Sequence, residues 1–438
     1  MQHFQTSFFY DLQELIRTAP LMRKYYYIFK SLNLSALNDK NDSLGRTGHS
    51  RHAILRAFII KHLEAIKSVP ELIRYLNSIP PLAEMCGFEL GNLPDESQFY
   101  RFLKNTKNST LKQIHKIAND SLIEKNLLSL DEFMLDSKPI MAATRENNFK
   151  NPNRNTTNKT KIPKRNPRAT LSYYSCQLIN GKKENMIFFW GYRTHALINK
   201  DGICLVEKTL PNNITDATAA YKLLKQLKRS YRFKKGSIFI ADKAYDVREL
   251  YTFIVEQMKS RPFIPINPRN QKDDKTFGPH GCPVCDAGME MKSAGRWTEA
   301  NRDRIKFRCP LKTSKKAAVK YNNNCPANHP SFDTGKCYGC TRYLDVTDDA
   351  RSRVPRDSRE FKEIFKHRQA VEQYFCRLGD REAEQTTHYS YTAISNQMTI
   401  AHLTASLIAA AAGIYLEQPG KIRCYRSFAE LNKLSETG

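Results

Sequence analysis

The sequence predicts an α/β protein with a helical N-terminal region and a cysteine-rich insertion. Apolar residues recur at helical spacing through residues 1–125. From residue 126 to 268, β-branched and aromatic runs alternate with helical patterns. Six cysteines then fall between residues 282 and 340, and such clustering favours metal binding over disulfides in a cytoplasmic chain.

The composition predicts a negatively charged partner. The chain has 438 residues, enough for two or three domains, and 70 Lys and Arg against 44 Asp and Glu give a net charge of +26. Such an excess is typical of proteins that bind nucleic acid, although a ribosome-associated protein can be equally basic. A membrane surface is a weaker candidate because no amphipathic basic helix stands out.

We expect a cytoplasmic protein with reduced thiols and no membrane partner. The N-terminal segment MQHFQTSFFYDLQELIR lacks a basic start followed by a long apolar stretch. The longest apolar segment, residues 403–416, has 14 residues. That length is too short to span a bilayer, and its alanine content suits a buried helix.

Residues 1–125 predict a helical DNA-binding domain. RHAILRAFIIKHLEAI carries apolar residues at three- and four-residue spacing. Ser68 is a candidate N-cap two residues before Pro70, and Asp95 or Ser97 can cap DESQFYRFLKNT. LKQIHKIANDSLIEKNLL closes the region. A helical packing or dimerisation domain is the alternative.

An α/β series follows over residues 126–268. It begins with EFMLD, a strand that ends at Asp136. Residues 145–168, with eight Lys or Arg, one Glu and seven Asn, predict a loop that either faces phosphate or is simply solvated.

Three runs then predict an antiparallel meander, namely TLSYYSCQLIN, NMIFFWGYRTHALIN and ICLVEKTL. TDATAAYKLLKQLKR, GSIFIAD, VRELYTFIVEQMK and PFIPIN add a helix, a strand, a helix and a strand. A long break precedes the helix that carries Glu372. This is the element order of an RNase H-like core with an insertion before its last helix.

Three carboxylates stand in settings that suit metal-dependent phosphoryl transfer. Asp136 and Asp242 close the apolar runs FML and FIA, and Glu372 lies in the helical pattern HRQAVEQYF. A two-metal site needs hard oxygen ligands on a rigid frame, and the carboxyl ends of strands provide one. Each acid alone is more commonly a turn, cap or surface residue. Together on a chain of charge +26, they predict cutting and rejoining of phosphodiesters.

The chain resembles bacterial insertion-sequence transposases of the DDE class. Their last motif, Y-(2)-R-(3)-E-(6)-K, reads FKHRQAVEQYFCRLG here, so Arg368 and Glu372 match. Phe365 stands where Tyr is usual, and Gly379 where Lys is usual. The missing Tyr hydroxyl concerns a DNA contact rather than metal binding.

The resemblance extends over nearly the whole chain. ADKAYD resembles the family's Asp-x-x-Tyr-Asp pattern at Asp242, and LDSKPI loosely resembles its first strand end at Asp136. FFWGYRTHALIN resembles the Gly-Tyr-Lys-x-His strand. The helical region from SRHAILRAFIIKHL to DESQFYRFL resembles the family's N-terminal domain.

The resemblance implies roles for particular residues. Asp136, Asp242 and Glu372 would hold two Mg²⁺ (or Mn²⁺) ions. DNA contacts are implied for Arg368, Lys243, Arg193, His195, Arg377 and Arg381, with a strand histidine satisfied by a neighbour as the alternative for His195. The substrate would be double-stranded DNA, namely the terminal inverted repeats and the target. Two ends must be joined, which implies a homodimer on DNA.

Residues 269–350 predict a structural zinc site in a ribbon-like insertion. The candidate ligands are Cys282, Cys285, Cys309, Cys325, Cys337 and Cys340. Two CxxC pairs have the knuckle spacing of a tetrahedral thiolate site, which is closed to water. One zinc site can use both CxxC pairs. Alternatively, one site uses the first pair with Cys309 and Cys325, and a second site uses the last pair with His329. Buried free thiols are the alternative. The neighbouring Lys312, Lys315, Lys316 and Lys320 indicate a DNA contact.

The sequence thus predicts four segments: a helical DNA-binding domain (1–125), the first part of an RNase H-like core (126–268), a zinc-binding insertion (269–350) and the core's C-terminal helices (351–438). A DDE transposase is the function that these segments favour. The alternatives are a non-catalytic zinc-ribbon DNA-binding protein and an RNase H-fold nuclease that cuts without strand transfer.

Overall fold

A computed structural model describes residues 11–39, 48–147, 162–179, 182–267, 277–299, 302–333, 339–345, 350–351, 354–379 and 386–415. Cys337, Arg381 and most of the basic loop at 145–168 lie outside the described residues.

The chain folds into two compact units. The first unit comprises Met1–Ser129, Ser137–Thr215 and Val371–Gly438, and the second comprises Leu130–Asp136 and Asp216–Ala370. This division differs from the four predicted segments because the C-terminal helices belong with the N-terminal ones. The four-segment division remains a prediction of the sequence.

The N-terminal part of the first unit is helical, as predicted. Its described helices are α1 (Leu12–Thr18), α2 (Pro20–Lys30), α3 (Arg51–Leu63), α4 (Val69–Ser78), α5 (Pro80–Cys86), α6 (Glu96–Asn105) and α7 (Asn108–Glu124). Ser68 caps α4 by accepting a hydrogen bond of 3.3 Å from the Glu71 N–H. Asp95, rather than Ser97, caps α6 through a 2.8 Å bond from the Ser97 N–H. These bonds satisfy N–H groups that lack a partner within the helix.

Two C-terminal helices complete the described α-helices of the first unit: α14 (Gln369–Gly379) and α15 (Tyr391–Ala410), which continues as a π-helical segment, Ala411–Tyr415. Leu403 and Leu407 of α15 share one buried cluster with Phe58 and Phe99 of the N-terminal helices. The segment Tyr391–Tyr415 has the length and mean hydropathy, 1.5, to cross a membrane, but 78% of that window is buried inside the protein. A buried core helix passes the same test.

The antiparallel meander is confirmed in the first unit. Its strands are β2 (Thr170–Ile179), β3 (Lys182–Asn199) and β4 (Cys204–Pro211). β3 pairs antiparallel with both β2 and β4.

The strand before the meander is longer than predicted. β1 runs over Glu132–Met141, so the expectation that it ends at Asp136 is wrong. The strand continues because its second half lies beside β3, where the Ala142 N–H donates to the Trp190 carbonyl at 3.0 Å. Its first half belongs to the second unit and pairs with a different strand.

The second unit holds parallel strands and the cysteine-rich insertion. The core elements are α8 (Asp216–Ser230), β5 (Ile238–Ala241), α9 (Arg248–Thr252), β6 (Arg261–Phe263) and α13 (Arg359–Lys366). The insertion contains β7 (Lys292–Glu299), β8 (Arg302–Arg308), α10 (Pro310–Thr313), α11 (Lys315–Lys320), α12 (Pro330–Asp333) and β9 (Thr341–Asp345). β5 pairs in parallel with β1 and β6, and β7, β8 and β9 form a separate antiparallel sheet.

The close approach of β1 and β3 makes the first testable prediction. A Cβ added at Gly191 would overlap the backbone carbonyl oxygen of Ile140, which has no room to move within the sheet. We expect Gly191→Ala to reduce the yield of soluble protein and to lower the melting temperature. Gly48→Ala is the control, because nothing lies within 4 Å of the added Cβ there. Equal melting temperatures for the two variants would contradict the close approach.

Candidate active site at the ends of two parallel strands

The pairing of β1 with β5 brings two of the predicted acids to neighbouring positions. The parallel register pairs Leu135 with Ala241, and the next residues along the two strands are Asp136 and Asp242. Adjacent strands lie about 4.8 Å apart, so both carboxylates stand on one edge of the second unit. Both side chains are partly exposed.

Asp242 also fulfils the ordinary role of a residue at a strand end. Its carboxylate accepts a 2.8 Å hydrogen bond from the Ala244 N–H and so caps the short 3-10 turn Lys243–Tyr245. The bond fixes the direction in which the carboxylate points. A fixed carboxylate is what a metal site requires.

The chain segment that enters α14 contacts β1 at two points within the second unit. A terminal guanidinium nitrogen of Arg368 lies 3.2 Å from Oδ2 of Asp136. One residue earlier, Nδ1 of His367 lies 2.7 Å from Oε1 of Glu132. Arg368, predicted to hold phosphate, here pairs with one of the predicted catalytic acids.

Within the first unit, α14 is held by a lysine and a histidine. Nζ of Lys138, two residues after Asp136, donates to the Phe375 carbonyl at 2.8 Å. The Tyr374 hydroxyl lies 2.6 Å from Nδ1 of His402, and Nε2 of His402 lies 3.1 Å from the Thr194 hydroxyl. These contacts flank the exposed Glu372, which α14 carries one turn after Arg368.

The histidine in this network is neutral at neutral pH. Burial lowers the pKa of His402 to about 4, although the nearby carboxylate of Glu207 acts in the opposite direction. A neutral imidazole offers one donor and one acceptor, which suits its two hydroxyl partners. The network therefore fixes α14 without placing a charge in the core.

The second aspartate of ADKAYD joins both flanks of the cysteine-rich insertion. Arg351 binds the Asp246 carboxylate with two bonds, of 2.7 and 2.6 Å. The Asn267 N–H and the Tyr251 hydroxyl donate to the same carboxylate at 2.8 and 2.9 Å. Burial alone would raise the pKa of Asp246, but the bonds from Arg351 and Asn267 outweigh burial and lower the pKa below its usual value. The motif ADKAYD was visible in the sequence, but the role of Asp246 in joining the two flanks of the insertion was not.

The remaining predicted DNA contacts have different surroundings. Lys243 is exposed beside Asp242, and Arg377 is partly buried on α14. Arg193 is partly buried and donates to the Ser137 hydroxyl at 3.1 Å. Each of these arginines and Lys243 stays a candidate for a phosphate contact.

His195 does not suit a DNA contact. Its side chain on β3 is 0% exposed, because the centre of β3 is covered on both faces. Full burial counts against a DNA contact and favours the alternative of a strand histidine satisfied by a neighbour, and both stay predictions of the sequence.

The described cysteines of the insertion meet in one small core. Cys282, Cys285, Cys309, Cys325 and Cys340 are buried there together with Met291, Phe307 and Phe332. The pKa of Cys340 is raised to about 12, first by burial and then by the neighbouring thiols of Cys309, Cys285 and Cys325.

The thiol of Cys282 has a different setting. Burial raises the pKa of this thiol, and the nearby carboxylates of Asp357 and Glu290 raise it further. The imidazole of His329 lies 3.6 Å from Asp286. Within the described ranges, no group of three or more His, Cys, Asp or Glu side chains is arranged to hold a metal ion, at this cluster or at the three acids.

Two family models match the sequence. The model described as "Transposase DDE domain" matches residues 172–408, and the model described as "Transposase domain (DUF772)" matches residues 11–105. The first match covers more than half of the chain, so the protein belongs to the DDE transposase family. Asp242 and Glu372 lie inside the matched range, and Asp136 lies before it.

The likeness to solved structures is weak. A cryo-EM structure of the piggyBac transposase synaptic complex with hairpin DNA is 10% identical in sequence, with 95% of this chain and 85% of that chain covered and a TM-score of 0.29. A likeness at this TM-score carries no argument about fold or function. No curated protein matches the sequence.

The buried carboxylate gives the second testable prediction. We expect Asp246→Asn to lower the free energy of unfolding by about 3 kcal/mol, because it leaves Arg351 paired with a neutral group in a buried position. Urea denaturation at pH 7 measures the change. Glu249→Gln, on the exposed face of α9, is the control and should change stability little.

The effect of Asp246→Asn should depend on pH. The folded pKa of Asp246 is lowered, so its stabilisation is complete above the unfolded pKa of about 4 and is lost as the pH falls through the folded pKa. The two proteins should therefore approach equal stability in acid. A difference that stays constant from pH 7 into acid would contradict this account.

Proposed function

We propose that this transposase cuts DNA at the ends of its element and joins the freed ends to target DNA at one site formed by Asp136, Asp242 and Glu372. One observation carries the proposal: the parallel register of β1 and β5 sets Asp136 beside Asp242. Two fixed carboxylates on one sheet edge match the donor chemistry of a hard divalent cation.

The strand pairing supports an RNase H-like core. β1 is hydrogen-bonded to β3 on one side and to β5 on the other, and β4 and β6 pair with β3 and β5. The six-stranded sheet has the order β2-β3-β1-β5-β6, and β4 also pairs with β3. The β2–β3 and β3–β4 pairs are antiparallel, and the β1–β5 and β5–β6 pairs are parallel.

The contacts on either side of Glu372 support its proposed role as the third ligand. It lies between Arg368, which pairs with Asp136, and Phe375, whose carbonyl accepts from Lys138. Both contacts tie the segment that carries Glu372 to β1. Two Mg²⁺ (or Mn²⁺) ions held by the three acids would activate the attacking oxygen and stabilise the leaving oxygen.

The other residues of the site bind and orient DNA in this proposal. Arg368 binds a phosphate of the cleaved strand, since its guanidinium presents five N–H donors, more than the contact with Asp136 uses. Lys243 and Arg377 add further phosphate contacts. The Arg368–Asp136 pair thus keeps the site from accumulating unpaired negative charge before DNA binds.

The partner in this proposal is double-stranded DNA. The net charge of +26 suits binding to phosphates, and a homodimer would bring the two element ends together. We place the reaction in the cytoplasm, on the bacterial nucleoid. A 3′ hydroxyl freed by hydrolysis at each end would then attack a target phosphodiester in line, which accounts for both cutting and joining.

We also propose that Cys285, Cys309, Cys325 and Cys340 hold a structural zinc ion. All four are buried thiols of one cluster, and Cys309, Cys285 and Cys325 each raise the pKa of Cys340. The described thiols are close together without being arranged around a common ion position, so zinc binding would draw them inward. Four thiolates suit a closed tetrahedral zinc site. The insertion has a small apolar core, so a metal site would supply much of its stability.

The catalytic proposal is tested by conservative substitution. We expect Asp136→Asn, Asp242→Asn and Glu372→Gln each to reduce Mg²⁺-dependent cleavage by about 100-fold or more, since each removes a charged ligand of the cations that stabilise the transition state. The substrate is DNA that carries the sequences flanking this gene. Glu363→Gln, on the exposed face of α13, is the matched control and should keep wild-type activity.

The same assay separates the alternative functions. Cleavage and joining by wild type, lost together in the three variants, support the transposase reaction. Cleavage without joining indicates a nuclease, and DNA binding with no cleavage in Mg²⁺ or Mn²⁺ indicates a non-catalytic DNA-binding protein.

The zinc proposal predicts metal in the purified protein. We expect about one zinc per chain by elemental analysis, lost in Cys309→Ser because three thiolates hold zinc less tightly than four. Cys376→Ser removes an exposed thiol outside the cluster and should leave the zinc content unchanged. Wild-type protein without zinc after expression in zinc-supplemented medium would refute the site.

A further inference from the structure

The three-stranded sheet of the insertion has one face in the cysteine core. Phe307 of β8 is 5% exposed in that core, and Ile305 and Leu344 pack against it. Side chains alternate between the two faces of a strand. The neighbours of these residues along β8 and β9 therefore belong to the opposite face.

That opposite face is basic and carries two exposed aromatic rings. It presents Arg304, Lys306 and Arg308 of β8, which alternate with Ile305 and Phe307. Trp297 pairs with Arg304, and Tyr343 pairs with Lys306. The rings of Trp297 and Tyr343 are 46% and 41% exposed. We call Trp297, Arg304, Lys306, Arg308 and Tyr343 the aromatic–basic face.

The ammonium group of Lys306 lies near both aromatic rings of this face. Nζ of Lys306 lies 5.2 Å from the ring centroid of Trp297 and 5.6 Å from that of Tyr343. An ammonium between two rings holds both in place by cation–π attraction. The result is a pair of ordered π surfaces with positive charge between them, on a chain that already favours polyanions.

We propose that the aromatic–basic face binds unpaired nucleotides of a DNA strand, with bases stacked on Trp297 and Tyr343 and phosphates near Lys306 and the two arginines. The proposal deepens the proposed function, because it gives the insertion a part in binding the DNA substrate. Charge alone would serve duplex DNA equally well. Exposed rings favour unpaired bases, since only an unstacked base offers its π-face to a protein ring.

The chain provides its own fluorescent probe for this contact. It has two tryptophans, and Trp190 is only 8% exposed. In a Trp190→Phe background, Trp297 becomes the only tryptophan that emits. We expect a thymidine oligonucleotide of about ten nucleotides to quench that emission, and a duplex of equal length to quench it much less. If Trp190→Phe does not fold, the difference between wild type and Trp297→Phe isolates the same signal.

Matched variants test the residues of the face. Tyr343→Ala and Trp297→Ala should each weaken binding of the oligonucleotide about tenfold or more by anisotropy. Arg342→Gln is the control: Arg342 is next to Tyr343 in β9 but bonds to Asp286 at 3.0 Å, away from this face. It removes one positive charge and should change the affinity less than about threefold.

The outcomes separate this proposal from the transposase reaction. No quenching of Trp297 at low salt, or equal quenching by duplex, would overturn the stacking surface even if the protein cleaves DNA. A loss in Arg342→Gln equal to that in Tyr343→Ala would also overturn it, because charge alone would then explain binding. Quenching by the thymidine oligonucleotide in a protein that never cleaves would support the surface and count against the catalytic proposal.

Discussion

The parallel pairing of β1 with β5 is the constraint on which the candidate site depends. It fixes which residues become neighbours at the strand ends, and a slip of one residue would turn Asp136 or Asp242 toward the opposite face of the sheet. The apolar residues before each acid resist such a slip, because Leu135 and Ala241 are buried. The core of the second unit thus sets the positions of two carboxylates that themselves lie near the surface.

Some basic residues of this chain neutralise buried carboxylates, in addition to the role of basic residues in binding a polyanion. Several carboxylates that are buried or partly buried have a cationic partner in the same unit: Asp136 with Arg368, Asp246 with Arg351, and Glu207 with Lys112. Burial of a carboxylate without such a partner would be costly. Each of these pairs sums to zero charge, so the net charge of +26 is the surplus that remains for DNA to meet.

Much of the fold was predictable from local pattern, and the contacts of the site were not. Periodicity and turn residues placed the N-terminal helices, the meander and the helix of Glu372, and Ser68 caps its helix as expected. The pattern around Asp136 predicts a strand end there, because it does not reveal that β1 continues beside β3. Likewise, periodicity cannot specify contacts between residues distant in sequence. The pairing of Arg368 with Asp136 and the burial of His195 in β3 both depend on such contacts.

The central claim is that Asp136, Asp242 and Glu372 hold divalent cations at one place. Iron(II) can occupy oxygen-ligand sites in place of Mg²⁺, and with peroxide and ascorbate it cuts the polypeptide next to where it is bound. The full-length protein, bound to DNA, would be cut with iron and the fragments mapped by mass spectrometry. The account predicts cuts near residues 136, 242 and 372 that excess Mg²⁺ suppresses together. Cuts near the two aspartates alone, or cuts that Mg²⁺ does not suppress, would contradict it.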